Sequence, residues 1–144
     1  MRNKMSAFFG VALIFSILVL GMSAISLSST HLRGGMRGSG LSLGLDTSNR
    51  LNSSWDYGYG ASVTQASDNP WGLFFSFTKP LETQGYPAYF IMGPMVYFGN
   101  AGAYGAYMHL GWLELLGAND LRLEAGINVL NTHFEMNVEL LYQI

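Results

Sequence analysis

Hydrophobic and polar residues alternate along most of this chain with a period of two, the pattern of β-strands that bury one face. Leu41, Leu43 and Leu45 alternate with Ser42, Gly44 and Asp46. Trp55, Tyr57, Tyr59, Ala61 and Val63 alternate with Asp56, Gly58, Gly60, Ser62 and Thr64. Leu121, Leu123, Ala125, Ile127 and Val129 do so with Arg122, Glu124, Gly126 and Asn128. The last run sets Phe134, Met136, Val138, Leu140 and Tyr142 against Glu135, Asn137, Glu139 and Gln143, with Leu141 out of pattern. Turn-forming residues separate the runs: Thr47 to Ser53, Ser67 to Pro70, Lys79-Pro80 to Gly85, Gly99 to Gly102, Gly117 to Asp120, and Asn131-Thr132.

These boundaries predict strands over 39–46, 54–66, 71–79, 86–98, 103–116, 120–130 and 132–143. Their length, about 9–13 residues, is that of a tilted transmembrane strand, whereas globular strands are most often about 5–6 residues. Closed single-chain barrels are even-numbered. An eighth strand could come from 31–38, where Arg33, Gly34, Gly35, Arg37 and Gly38 make a weak strand by composition. Pro94 withholds a ladder hydrogen bond from the fourth strand, which is therefore expected to be bulged or split.

Composition decides which face points where. Of 144 residues, 49% are hydrophobic and only 11% charged. A soluble surface calls for roughly 25–35% charge. The polar face, with Asp46, Asp56, Arg122, Glu124, Glu135 and Glu139, is too sparsely charged for that and suits a narrow lumen. There Arg122, Glu124, Glu135 and Glu139 are expected to form an ion-pair network. The apolar face carries Trp55, Trp71, Trp112, Phe134 and Tyr142 among aliphatic residues and reads as lipid-facing. In lipid every backbone group must be paired, so the sheet must close. Two segments, 86–98 and 110–116, are apolar on both faces. Their inward sides are expected either to pack against a lumen plug or the N-terminal segment, or to line a small pocket for an acyl chain.

The fold class is therefore all-β: an antiparallel up-and-down transmembrane barrel of about eight strands, preceded by an N-terminal signal or hydrophobic helix. Arg2 and Lys4 precede an apolar run from Ala7 to Ala24 with small residues at its end, the order of a secretory signal. The run also approaches the roughly 18–20 residues that span a bilayer. Residues 1–24 are thus a signal peptide or an uncleaved anchor, and 25–144 the barrel domain. The positive flank keeps Arg2 and Lys4 in the cytoplasm and sends the rest across the inner membrane. A net charge of −2 leaves no basic stripe for nucleic acid. The absence of Cys excludes disulfides, thiolate metal sites and cysteine catalysis.

The chain ends on one alternating apolar series: Phe134, Met136, Val138, Leu140, Tyr142 and Ile144. This resembles the C-terminal strand by which bacterial outer-membrane barrels are recognised for assembly, with Tyr142 third from the end and Ile144 where that pattern prefers Phe. Residues 31–144 as a whole are similar to the small eight-stranded outer-membrane barrels. The resemblance implies an outer-membrane location, membrane lipids as surroundings and the barrel assembly machinery as partner.

Candidate chemistry rests on three histidines. His31 is placed in a disordered mature N-terminus, and His133 in a tight turn beside Glu135 as a hydrated rim pair. His109, in a strand with Glu114 nearby, is the better candidate for a base that activates a weak nucleophile, but no Ser follows it at a useful spacing. No catalytic set, metal site or cofactor is expected. The leading expectation is a non-enzymatic barrel with a structural, adhesion or envelope-integrity role. The alternatives are a lipid-modifying or lipid-binding barrel, and a periplasmic β-domain anchored to the inner membrane.

Overall fold

The computed structural model describes residues 29–65, 67–81 and 87–144, so the signal-or-anchor segment 1–24 lies outside the described residues. Eight antiparallel strands follow in chain order: β1 (Ser29–Arg37), β2 (Gly40–Arg50), β3 (Asp56–Thr64), β4 (Trp71–Leu81), β5 (Ala88–Phe98), β6 (Ala103–Trp112), β7 (Leu121–Leu130) and β8 (Phe134–Gln143). Each pairs with the next, and β1 pairs with β8 to close the barrel.

The segment that was weak by composition is a full strand. β1 runs for nine residues and is hydrogen-bonded on both edges, to β2 and to β8. Glycine and arginine are poor strand formers in isolation, but closure supplies two ladders to hold them. A Cβ on Gly35 would stand 2.0 Å from the Val138 carbonyl oxygen, so the absence of a side chain is what lets β1 and β8 approach there.

Pro94 neither bulges nor splits β5. Against β6 the register is unbroken through Pro94↔Ala106, and against β4 it is the same on both sides of the proline, from Phe74↔Met95 to Phe77↔Met92. The proline faces outward and leaves only a local gap in the pairing with β4. The sixth strand stops at Trp112, short of the predicted 116, because Glu114 and Leu116 adopt left-handed φ of 54° and 56° around a single 3-10 turn.

Strict alternation gives the barrel two different faces. Outward positions hold Leu41, Leu43, Val63, Trp71, Met92, Leu110, Ile127 and the entire β8 series from Phe134 to Tyr142, all exposed. Lys79 is the single charged side chain among the outward positions of the described strands. Aromatics gather at the two rims: Trp71, Phe98, Tyr104 and Phe134 at one, Tyr57, Phe90, Trp112 and Tyr142 at the other. The rim where β1 begins and β8 ends also carries the connections 51–55 and 113–120, and the opposite rim carries those between β1 and β2, β3 and β4, β5 and β6, and β7 and β8.

Inward positions alternate glycine with large side chains across neighbouring strands. Gly44 pairs with Arg33, Gly60 with Phe74, Gly72 with Tyr97, Gly111 with Tyr89 and Gly126 with His109. Each large residue therefore lies over a position that has no side chain, and among the described residues the side chains of the wall itself fill the interior, as in other eight-stranded barrels.

Candidate functional site

The polar half of the lumen is organised on Arg33. Its guanidinium donates through Nε to Glu139 at 3.0 Å, through Nη1 to Asp46 at 2.6 Å, and through Nη2 to Glu124 and Glu139, both at 2.5 Å. Three carboxylates from three strands thus converge on one fork of donors, the geometry for which arginine is suited and lysine is not. Arg33 and Glu124 are 3% and 2% exposed. The guanidinium carbon lies over the Phe74 ring, 4.9 Å from its centroid.

Two histidines extend this cluster. His31 Nδ1 is 2.8 Å from Asp46 Oδ1, and because a carboxylate only accepts, Nδ1 carries the hydrogen. His109 Nε2 is 3.0 Å from Asn128 Oδ1, while its Nδ1 faces Glu124 Oε2 at 3.7 Å. Tyr89 donates its hydroxyl to Glu124 Oε1 at 2.7 Å.

A second layer is built on Arg37. Its Nη2 donates to Ser67 Oγ at 2.7 Å and to the Asn69 carbonyl at 3.1 Å, which ties β1 to the β3–β4 turn. Arg37 Nε lies 3.4 Å from Glu135 Oε2, and the guanidinium stacks on Tyr97 at 3.7 Å. Asn128 is fully buried between the two layers, donating to Glu135 and to Tyr97 at 3.4 Å each.

Of the four residues expected in an ion-pair network, Glu124, Glu135 and Glu139 lie buried in the lumen. Arg122 is not their cation. It sits near the rim at the start of β7, where its Nη2 donates to Gln143 at 3.3 Å. The cations are Arg33 and Arg37, from the strand whose composition looked least like one. Their presence was signalled by charge balance: one arginine at 122 does not answer Asp46, Glu124, Glu135 and Glu139. The spacing of 33 and 37 also puts both on one strand face. His31, expected in a disordered mature N-terminus, is instead ordered and buried in β1. His109 meets Glu124 of the adjacent strand inside the lumen, and Glu114 is in the exposed turn after β6. His133 remains at the rim with its Nε2 3.0 Å from Glu135 Oε1. The terminal series Phe134, Met136, Val138, Leu140, Tyr142 and Ile144 lies exposed on the outward face of β8 and just beyond it.

The other half of the lumen is apolar. Tyr89, Ile91, Met95 and Tyr97 of β5 pack with Ala103, Tyr107 and Leu130, flanked by Phe74 and Leu113. The inward side of β5 therefore packs across the lumen onto its neighbours and onto Arg37. A cavity beside it, lined by Phe74, Met95 and Tyr97, is about 20 Å³, far too small to enclose an acyl chain. Among the described residues, no group of three or more His, Cys, Asp or Glu is arranged to hold a metal ion. His109 is enclosed by Tyr107, Asn128 and Glu124, all engaged in the packing and hydrogen bonds above.

In comparisons with known proteins, no family model, no curated protein and no solved structure matches the chain.

Proposed function

We propose that this chain is an integral outer-membrane β-barrel of the bacterial type with a structural role in the envelope, its lumen occluded by its own side chains. One observation carries the reading: the distribution of charge is the reverse of a soluble barrel's. Arg33, Arg37, Asp46, Glu124, Glu135 and Glu139 are buried inside, while Lys79 is the single charge among the outward positions of the described strands. In water that arrangement would expose an apolar belt far larger than the few hundred Å² soluble monomers present. In a bilayer it is what an aliphatic band between two aromatic girdles requires. The resemblance of 134–144 to an assembly signal supports delivery by the barrel assembly machinery, with lipids as the surrounding partner.

Envelope integrity is favoured over adhesion by the connections. On the rim opposite the start of β1 and the end of β8 they are short, and two of the four span only 38–39 and 131–133. They give a partner little protruding surface to grip.

The test is expression of the full chain in a Gram-negative host, followed by membrane fractionation and electrophoresis with and without boiling. The expected result is recovery in the outer membrane with a fast-migrating unboiled form. Recovery as a detergent-free soluble protein, or in the inner membrane with Met1 retained, would overturn the proposal.

A further inference from the structure

We infer that the lumen holds one buried water molecule bridging Arg37 and Asn137 as a fixed part of the fold. This goes beyond the proposed membrane role and does not depend on it. Arg37 of β1 and Asn137 of β8 are direct cross-strand partners, both inward, and 5% and 6% exposed. Arg37 Nη1 and Asn137 Oδ1 are buried with no hydrogen-bond partner in the protein. Both residues line a half-open cavity of about 20 Å³, whose wall is polar at Arg33 and Glu139 and apolar at Phe74 and Met95. A cavity needs roughly 10–15 Å³ to hold one water, and two buried polar groups without partners at its wall supply the contacts that keep a water there.

The chemistry of the orphans selects the occupant. A metal cation is excluded by the guanidinium that faces the site, since arginine stays protonated. A halide is excluded by the amide oxygen, which needs a donor. If the Asn137 amide is turned the other way, an anion would meet donors from both residues. It would then also sit beside Glu139, which lines the cavity, with Glu135 only 3.4 Å from Arg37 Nε. Water accepts from Arg37 and either donates to or accepts from Asn137, so it satisfies both amide orientations.

The bridge has a consequence for the barrel end. Arg37 ties the β3–β4 turn to the wall through Ser67 Oγ and the Asn69 carbonyl. A water on Nη1 gives that side chain a further anchor, to the closing strand β8.

The experiment is a crystal structure of the full barrel at a resolution that orders internal waters, with a second crystal soaked in bromide. One solvent peak is expected within about 2.7–3.2 Å of both Arg37 Nη1 and the Asn137 amide, with no anomalous signal after the soak. An empty cavity, or a bromide peak in it, would overturn the inference. In micelles, a cross-peak between the Arg37 guanidinium hydrogens and water is expected in the wild type and lost in Asn137→Leu. A cross-peak absent from the wild type, or unchanged in the variant, would also overturn it. The wild-type measurements stand whether or not the variant folds.

Discussion

The Tyr89 ring of β5 lies directly over Gly111 of β6: a Cβ built on Gly111 would stand 2.0 Å from the ring Cζ. On its other edge Gly111 pairs with Glu124, whose carboxylate accepts the Tyr89 hydroxyl. One missing side chain thus makes room for both an aromatic ring and the hydrogen bond that orients it. Gly111→Ala forces the ring off its acceptor and is expected to destabilise the barrel by about 1–3 kcal/mol. Combined with Tyr89→Ala, the clash has no partner, so the double variant should be less damaged than the sum of the two by about 0.5–3 kcal/mol. Urea unfolding in micelles, followed by tryptophan fluorescence, measures the cycle. Strict additivity would sink the idea that the two residues are fitted to each other.

Arg33 and Arg122 make a second comparison, because both are inward-facing arginines with very different surroundings. Arg33→Met leaves Asp46, Glu124 and Glu139 facing one another without their shared cation. Removing one partner from a buried charge cluster costs about 3–5 kcal/mol, and three carboxylates push this case to the upper end. Arg122→Met removes a 3.3 Å hydrogen bond to Gln143 near the rim and should cost no more than about 1 kcal/mol. Equal losses in the two variants would mean that the network is not centred on Arg33.

The contrast between those arginines also marks what the sequence makes legible. Period two gives the face of each residue, and it put Glu124, Glu135 and Glu139 on the inward side. It does not give neighbours around a closed sheet. Arg33 and Glu139 are 106 positions apart and meet because β1 closes on β8, a pairing no local pattern announces. β1 itself was obscured because strand propensity scores Gly35 by its flexibility, while the barrel uses it for close approach to Val138. Pro94 misled for a related reason: a missing donor matters where a ladder bond is due, and here the register continues past it. The doubly apolar run at 86–98 was legible as unusual. Its explanation, packing beside Tyr107 of the next strand and across the lumen onto Arg37, needed the third dimension.

The proposed lipid contact predicts a depth-dependent cost on the outward face. Val138 lies midway along β8 and Phe134 at its start, both exposed. Val138→Arg should destabilise a bilayer-reconstituted barrel by about 2–4 kcal/mol, and Phe134→Arg by about 0–1 kcal/mol. A barrel whose outward face met water would be indifferent to either substitution or more soluble with it. Unfolding titrations in vesicles read the difference, and a flat profile along β8 would count against a membrane location.

A lumen sealed by side chains predicts silence in a planar bilayer, and Phe74 is where that seal should be breakable. Its ring reaches from β4 to the Arg33 guanidinium and meets the Tyr107 ring edge-on at 6.1 Å between centroids. Its cross-strand neighbour is Gly60, which has no side chain to fill the gap. Phe74→Ala therefore opens a void continuous with the existing cavity, which Phe74 itself lines. The cost is about 3–5 kcal/mol, so the measurement is made on the fraction that keeps its unboiled mobility. Small conductance steps should appear that are absent in the wild type. They should favour cations, because Asp46, Glu124, Glu135 and Glu139 outnumber Arg33 and Arg37 along the path. Phe77→Ala, on the outward face of the same strand, is the control and should stay silent. If Phe74→Ala is as silent as the control while folded, the lumen is closed by something other than this ring, and the aromatic half of the interior is not its seal.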